Sequence, residues 1–149
     1  MKRLFILSLT ICIFSLFNAS LFAQKTVSID AFNKEIRKGI PQDFKLDESG
    51  VDKENLFAVY KKTPQEVITV NLQKDYHIEF PEQETLTVAD HKTIFYYAGF
   101  NKSAGLVVFL KNDAGFLVFG YNKPYMGEEI VKKEELIEIV EKIDLSKFE

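Results

Sequence analysis

The stretch LVVFLKNDAGFLVFGY, Leu106 to Tyr121, constrains the fold of this chain more than any other. Two apolar runs flank a polar turn, and in each run neighbouring residues are apolar with no alternation. Successive side chains of a strand point to opposite sides, so a strand with one wet face alternates apolar and polar residues. These two runs need cover on both faces. The run before them, TIFYYAGF (93–100), has the same property, with Ile94, Tyr96, Ala98 and Phe100 on one side and Phe95 and Tyr97 on the other. The runs around Val70 and Ile78 are one-sided. The apolar centre therefore falls on the last three strands. Three sources of cover are open: elements of the same domain (helices, a loop or the curl of the sheet), a partner or second copy, or an aromatic pocket holding a small ligand.

The turn NDAG has Asn first and Gly fourth, the preference of a type I turn with Gly at a left-handed bulge. That register sets Asn112 opposite Phe116, Leu110 opposite Val118, Phe109 opposite Phe119 and Val107 opposite Tyr121. Val107, Phe109, Leu117, Phe119 and Tyr121 then share a face that ends at Lys111. Leu106, Val108, Leu110, Phe116 and Val118 make the other. Phe109, Lys111, Phe119 and Tyr121 are the candidate ligand- or partner-binding residues, with Phe109 and Phe119 leaning into the core and Tyr121 at the wet rim.

The rest of the chain from residue 24 reads around this centre. SIDAFNKEIRKGIP predicts a helix over 29–38. Ser28 is the N-cap, Asp30 lies in the first turn, and Ile29, Phe32, Ile36 and Ile40 form one apolar stripe. Gly39 fits the left-handed position after the last turn, and Pro41 stops continuation. QDFKLDESGVDKEN (42–55) is polar with isolated apolar residues and reads as an irregular loop. LFAVYKK and VITVNLQ make a hairpin around Thr63–Glu66, and YHIEFPEQETLTV alternates. EEIVKKEELIEIVEKIDL is helical again, with Leu136, Ile139, Val140 and Ile143 as its stripe and Glu129–Lys133 and Glu138–Lys142 as four-apart pairs. The expected fold class is α+β: an antiparallel β-meander sheet flanked by an N-terminal and a C-terminal helix, one domain over 24–149.

The first residues bear on compartment. MKRLFILSLTICIFSLFNASLFAQ runs from two cations through an apolar core (Leu4 to Phe17) to small or polar residues, the order of a bacterial secretory signal. Cleavage is expected after Ala23. Ser15, Asn18 and Ser20 interrupt the run too early for a membrane span of about 20 apolar residues. The expected product is exported, periplasmic or secreted, and meets the membrane only through its signal. Removing 23 of 149 residues leaves 126, and taking two positive charges from a net charge of −3 leaves −5. Mild acidity without a Lys/Arg cluster argues against nucleic acid as a partner. The single cysteine, Cys12, leaves with the signal, so no disulfide, thiol nucleophile or thiolate metal site is expected, and no cofactor. Ten phenylalanines and six tyrosines remain to build a core by packing alone.

Residues 91–145, HKTIFYYAGF through VEKIDL, resemble in pattern the ends of small bacterial extracytoplasmic α+β modules of lipoprotein-like and anti-sigma-factor-associated proteins. The shared pattern is a strand, a hairpin with a Gly turn, a Lys/Glu/Glu/Leu helix start and a final amphipathic helix. The resemblance implies an α+β sandwich with a binding, sensing or scaffolding role and no catalysis, and it carries over no functional residue.

Candidate chemistry is sparse. His77 and Glu79 share a strand face near Asp75, and His91 is the only further imidazole, too few ligands for a metal site. Asp90-His91 reads as a solvent-facing turn. Ser28, Ser49, Ser103 and Ser146 lie outside any G-x-S-x-G context. The leading reading is a non-enzymatic envelope protein that binds a protein or small ligand through its sheet, with a homodimer as one form of partner. The alternative is a small hydrolase or metal-dependent enzyme using His77, Glu79 and His91.

Overall fold

A computed structural model describes residues 27–75, 83–98, 102–126 and 129–149. The expected signal (1–23), the strand face with His77 and Glu79, and Phe100 lie outside the described residues.

Helix α1 spans Ile29–Ile36, with the Ser28 Oγ accepting from the Ala31 N–H at 3.2 Å. Phe32 and Ile36 are fully buried, and Ile40 continues the stripe past the helix end. Gly39 is not left-handed: Gly115 is the only glycine with positive φ among the described residues. Its role is close approach, because a Cβ there would stand 2.3 Å from the Ile139 carbonyl oxygen of the C-terminal helix.

Seven strands follow among the described residues: β1 (Lys45–Asp52), β2 (Asn55–Lys61), β3 (Val67–Gln73), β4 (Gln83–Val88), β5 (His91–Ala98), β6 (Ser103–Phe109) and β7 (Phe116–Asn122). Helix α2 (Lys133–Glu141) and a 3₁₀ turn (Leu145–Lys147) close the described chain. The α+β class stands, and every strand pairing among the described residues is antiparallel. The strand order is β1-β2-β3-β7-β6-β5-β4, so two meanders join through β3 and β7. The 42–55 segment is not an irregular loop. Its centre is edge strand β1, bulged between Leu46 and Glu48 and mostly exposed, which is why no apolar alternation marks it.

The β6–β7 register also differs from the one expected. Phe109 faces Phe116, Val108 faces Leu117, Val107 faces Val118 and Leu106 faces Phe119. The cause is the turn. Asn112 and Asp113 both take positive φ, 57° and 55°, and the Ala114 N–H donates to the Lys111 carbonyl at 3.1 Å. That is a two-residue type I′ turn, whose twist matches the strands it joins, in place of a type I turn with a bulge. The two registers differ by an odd number of residues, which exchanges the faces. Leu106, Val108, Leu117, Phe119 and Tyr121 now share the core face, whereas Val107, Phe109, Phe116 and Val118 share the other.

Both helices cover the core face. Phe32 and Ile36 of α1, Leu136, Ile139 and Val140 of α2, and Leu145 and Phe148 beyond it join one cluster with the inward residues of β2, β3, β5, β6 and β7. Each fully buried Leu, Ile, Val or Phe here contributes about 1.5–3 kcal/mol of transfer free energy. Of the two expected four-apart pairs, Lys142–Glu138 forms at 2.6 Å, whereas Lys133 pairs instead with Glu84 at 2.8 Å and Glu129 stands 3.9 Å from Lys123. Among the described residues, no helix is long and apolar enough to cross a membrane.

Candidate interaction surface

Opposite the helices, the sheet carries a second, smaller apolar cluster. Ile94, Tyr96, Val107 and Val118 are its buried members, and Phe109 and Phe116 pack against them half-buried. By register, Phe57 and Val59 of β2 and Val67 of β3 point the same way, also half-buried. Among the described residues this cluster contains strand residues alone. The Phe109 and Phe116 rings meet edge to face, with centroids 5.1 Å apart, and the Lys92 Nζ lies 4.7 Å from the Phe109 centroid. In the neighbouring row, Tyr96, Gly105, Gly120 and Thr69 stand opposite one another across four strands. A Cβ on Gly105 would fall 2.0 Å from the Tyr96 ring, so that ring lies directly over the glycine. Omitting the side chain at Gly105 lets an aromatic ring lie across the adjacent strand.

The four residues expected to bind a ligand together are separated. Phe109 is on the helix-free face, whereas Phe119, with no exposed surface, and Tyr121 are in the core. Lys111 is in the hairpin turn, exposed, and its backbone N–H donates to Glu149 at 2.9 Å. Nor is Tyr121 at a wet rim. It is 6% exposed, its ring meets Phe44 edge to face, and its hydroxyl donates to the buried Glu66 carboxylate at 2.9 Å. Burial first, and then the bond to Glu66, push its phenol far above the ordinary tyrosine range, so Tyr121 stays a neutral donor. The bond ties β7 to the end of the β2–β3 turn, where Lys62 stands 3.5 Å from the other Glu66 oxygen. The reading missed the residues of the helix-free face, Ile94, Tyr96, Val107, Phe116 and Val118. The positive-φ tolerance of Asn112-Asp113 is the signal that could have found them.

His91 is not a solvent-facing turn residue. It is 6% exposed, with Nδ1 2.6 Å from the Ala89 carbonyl oxygen and Nε2 2.6 Å from a Glu149 carboxylate oxygen. Both ring nitrogens are thus occupied by acceptors of the chain itself. No group of three or more His, Cys, Asp or Glu residues able to hold a metal occurs among the described residues. The serine hydroxyls are engaged in local bonds: Ser28 in the helix cap, Ser49 with Asn33, Ser103 with Asn122 and Ser146 with Asp144. Comparison with known proteins adds no relative, since no family model, no curated protein and no solved structure matches the chain.

Proposed function

We propose that this chain is an exported, non-catalytic protein of the bacterial envelope that binds a partner protein through the helix-free face of its sheet. The observation that carries the reading is the placement of both helices on one side. They leave an aromatic and β-branched strip, with Val107 and Val118 at its middle, on the side that no described helix covers. Contiguous apolar strips rimmed by polar residues mark interaction sites on soluble domains. Here Lys92, Thr85 and Thr87 form such a rim, all exposed. A protein is favoured over a small ligand because small-ligand sites are concave and enclosing. The aromatic residues that would have lined a pocket, Phe119 and Tyr121, are already packed against the chain's own core. Export rests on the charged, apolar and small-residue order of residues 1–23.

Site-specific photo-crosslinking in the native host tests the surface. A photoreactive side chain at Val59 or Phe109 is expected to give a discrete crosslinked protein, and the same group at Glu138 or Lys142 on the exposed side of α2 is not. Adding Phe109→Glu should abolish the Val59 product. Equal labelling from both sides, or none from the sheet, would refute the binding face. Export is checked separately by the intact mass of the envelope form, which should begin at Gln24. A full-length chain retained in the inner membrane would contradict it.

A further inference from the structure

One carboxylate joins two turns at the same end of the sheet. Glu149 Oε1 accepts from the Lys111 backbone N–H in the β6–β7 turn at 2.9 Å and lies 2.6 Å from Nε2 of His91, the first residue after the β4–β5 turn. The other ring nitrogen of His91 is 2.6 Å from the Ala89 carbonyl oxygen within that β4–β5 turn. Next to Glu149, Phe148 is 4% exposed and meets Phe32 of α1 edge to face, with centroids 6.0 Å apart. The upstream end of this segment is held separately, by the Asp144 N–H donating to Glu35 at 2.8 Å. The C-terminal segment therefore lies over the core with a bond at each end.

We infer that His91 and Glu149 form a pH-responsive clasp, closed while the imidazole is doubly protonated and loosened when it loses a proton. A backbone carbonyl and an ionised carboxylate only accept hydrogen bonds, and a neutral imidazole carries one N–H. Both contacts at 2.6 Å are hydrogen bonds only if each nitrogen bears a proton. Removing either proton leaves two acceptors face to face in a site that is 6% exposed at His91 and 12% at Glu149. Little water can enter there to replace the lost donor.

The charged surroundings favour the ionised carboxylate. Burial raises the Glu149 titration, but the Lys111 N–H and the His91 ring outweigh it and hold the carboxyl below its usual range. Lys111 is the cation facing the pair from the β6–β7 turn, and Asp90 adjoins His91 in the β4–β5 turn. On the C-terminal segment, Lys147 and Asp144 lie 3.6 Å apart and neutralise each other, and on β5 Lys92 is directed at Phe109 on the opposite face of the sheet. The sign follows. The His91 contribution is present while both ring nitrogens carry protons and is lost when one proton leaves. The Glu149 contribution is present above the ordinary carboxylate range and is lost as pH falls through its depressed titration.

Hydrogen exchange on the mature chain tests this, with the amides of Lys111 and of residues 145–149 followed at about pH 5.5 and about pH 8.5, on either side of the ordinary imidazole range. After correction for intrinsic exchange rates, protection should fall about tenfold or more at the higher pH, the loss expected for one bond to a charged group. Glu149→Ala, which removes the acceptor for both Lys111 and His91, should give low protection at both pH values. Equal protection at the two pH values in the parent, or an unchanged pH dependence in Glu149→Ala, would overturn the clasp. Nitrogen-15 spectra of the His91 ring in a His77→Gln background provide a readout that does not depend on those variants folding. Protons on both nitrogens at the lower pH are expected, and a single neutral tautomer there would refute the proposal.

Discussion

Phe109 and Phe119 lie ten residues apart on paired strands, and the observed register predicts that their truncation has unequal costs. Phe119 has no exposed surface and stands opposite Leu106 on one side and Val70 on the other, beneath the helix layer. Phe119→Ala removes a full ring from a closed site, and such changes cost about 3–5 kcal/mol because the cavity relaxes only in part. Phe109 is half-buried on the helix-free face, in contact with Phe116 and beneath Lys92. Losing half the burial of one ring costs about 1 kcal/mol. Losing its edge-to-face pair costs about as much again. The ring is half-buried and not sealed, so no full closed-cavity cost is added, and on these contacts Phe109→Ala should cost about 2 kcal/mol. In the type I register the two rings would face each other on one side and lose comparable amounts. The chain has no tryptophan, so urea unfolding is best followed by far-UV circular dichroism. Phe119→Ala should consume a large share of the 5–15 kcal/mol typical of a small domain, and Phe109→Ala should leave it folded. Equal losses, or a greater loss for Phe109→Ala, would show that the pairing and the division of the two faces are wrong.

Tyr121→Phe should cost about 1–3 kcal/mol in the same unfolding assay, because it leaves the Glu66 carboxylate, 8% exposed, without its hydroxyl donor. A neutral outcome would mean that Lys62 alone satisfies Glu66. Asp113→Gly should raise the melting temperature, by up to about 1 kcal/mol in stability, since glycine occupies positive φ without strain and Asn-Gly is the preferred type I′ pair. A type I turn would reverse that sign, because glycine there only adds entropy to the unfolded chain.

Much of the fold was legible because local chemistry and tertiary demand agreed. The cap, stripe and stop around Phe32 and Ile36 all pointed to one helix, and that helix forms. The β2–β3 hairpin was legible for the same reason: β-branched Val67, Ile68 and Val70 outweighed the helix-like start at Thr63–Glu66. Where the reading failed, the deciding partner was far away or the local signal allowed two answers. Lys45–Asp52 is a strand only because β2 offers it an edge, and exposure on both faces removed any periodicity. Asn112-Asp113 accepts either turn type at small cost, and the choice falls to strand twist and to the burial of Leu106 and Phe119 beneath the helices. His91 looked solvated beside Asp90 because its carboxylate partner lies 58 residues further along the chain.

The doubly apolar character of the last strands follows from the strand order. β7 and β6 are interior strands, flanked by β3 and β5, while the polar strands β1 and β4 occupy the edges. The helix layer accounts for one face of the interior strands: Leu106, Val108, Leu117 and Phe119 are closed beneath it. It does not account for Val107, Val118, Ile94 and Tyr96 on the other face, where polar or small side chains would have served a sheet that met only water. Polar edges already blunt uncontrolled pairing along the sheet rim. The apolar surplus is therefore confined to the middle of one face, bounded by Lys92, Thr85 and Thr87 on one side and by the exposed β1 edge on the other. That confinement supports the proposed partner-binding face over the core-facing aromatics, which are already packed against the chain itself.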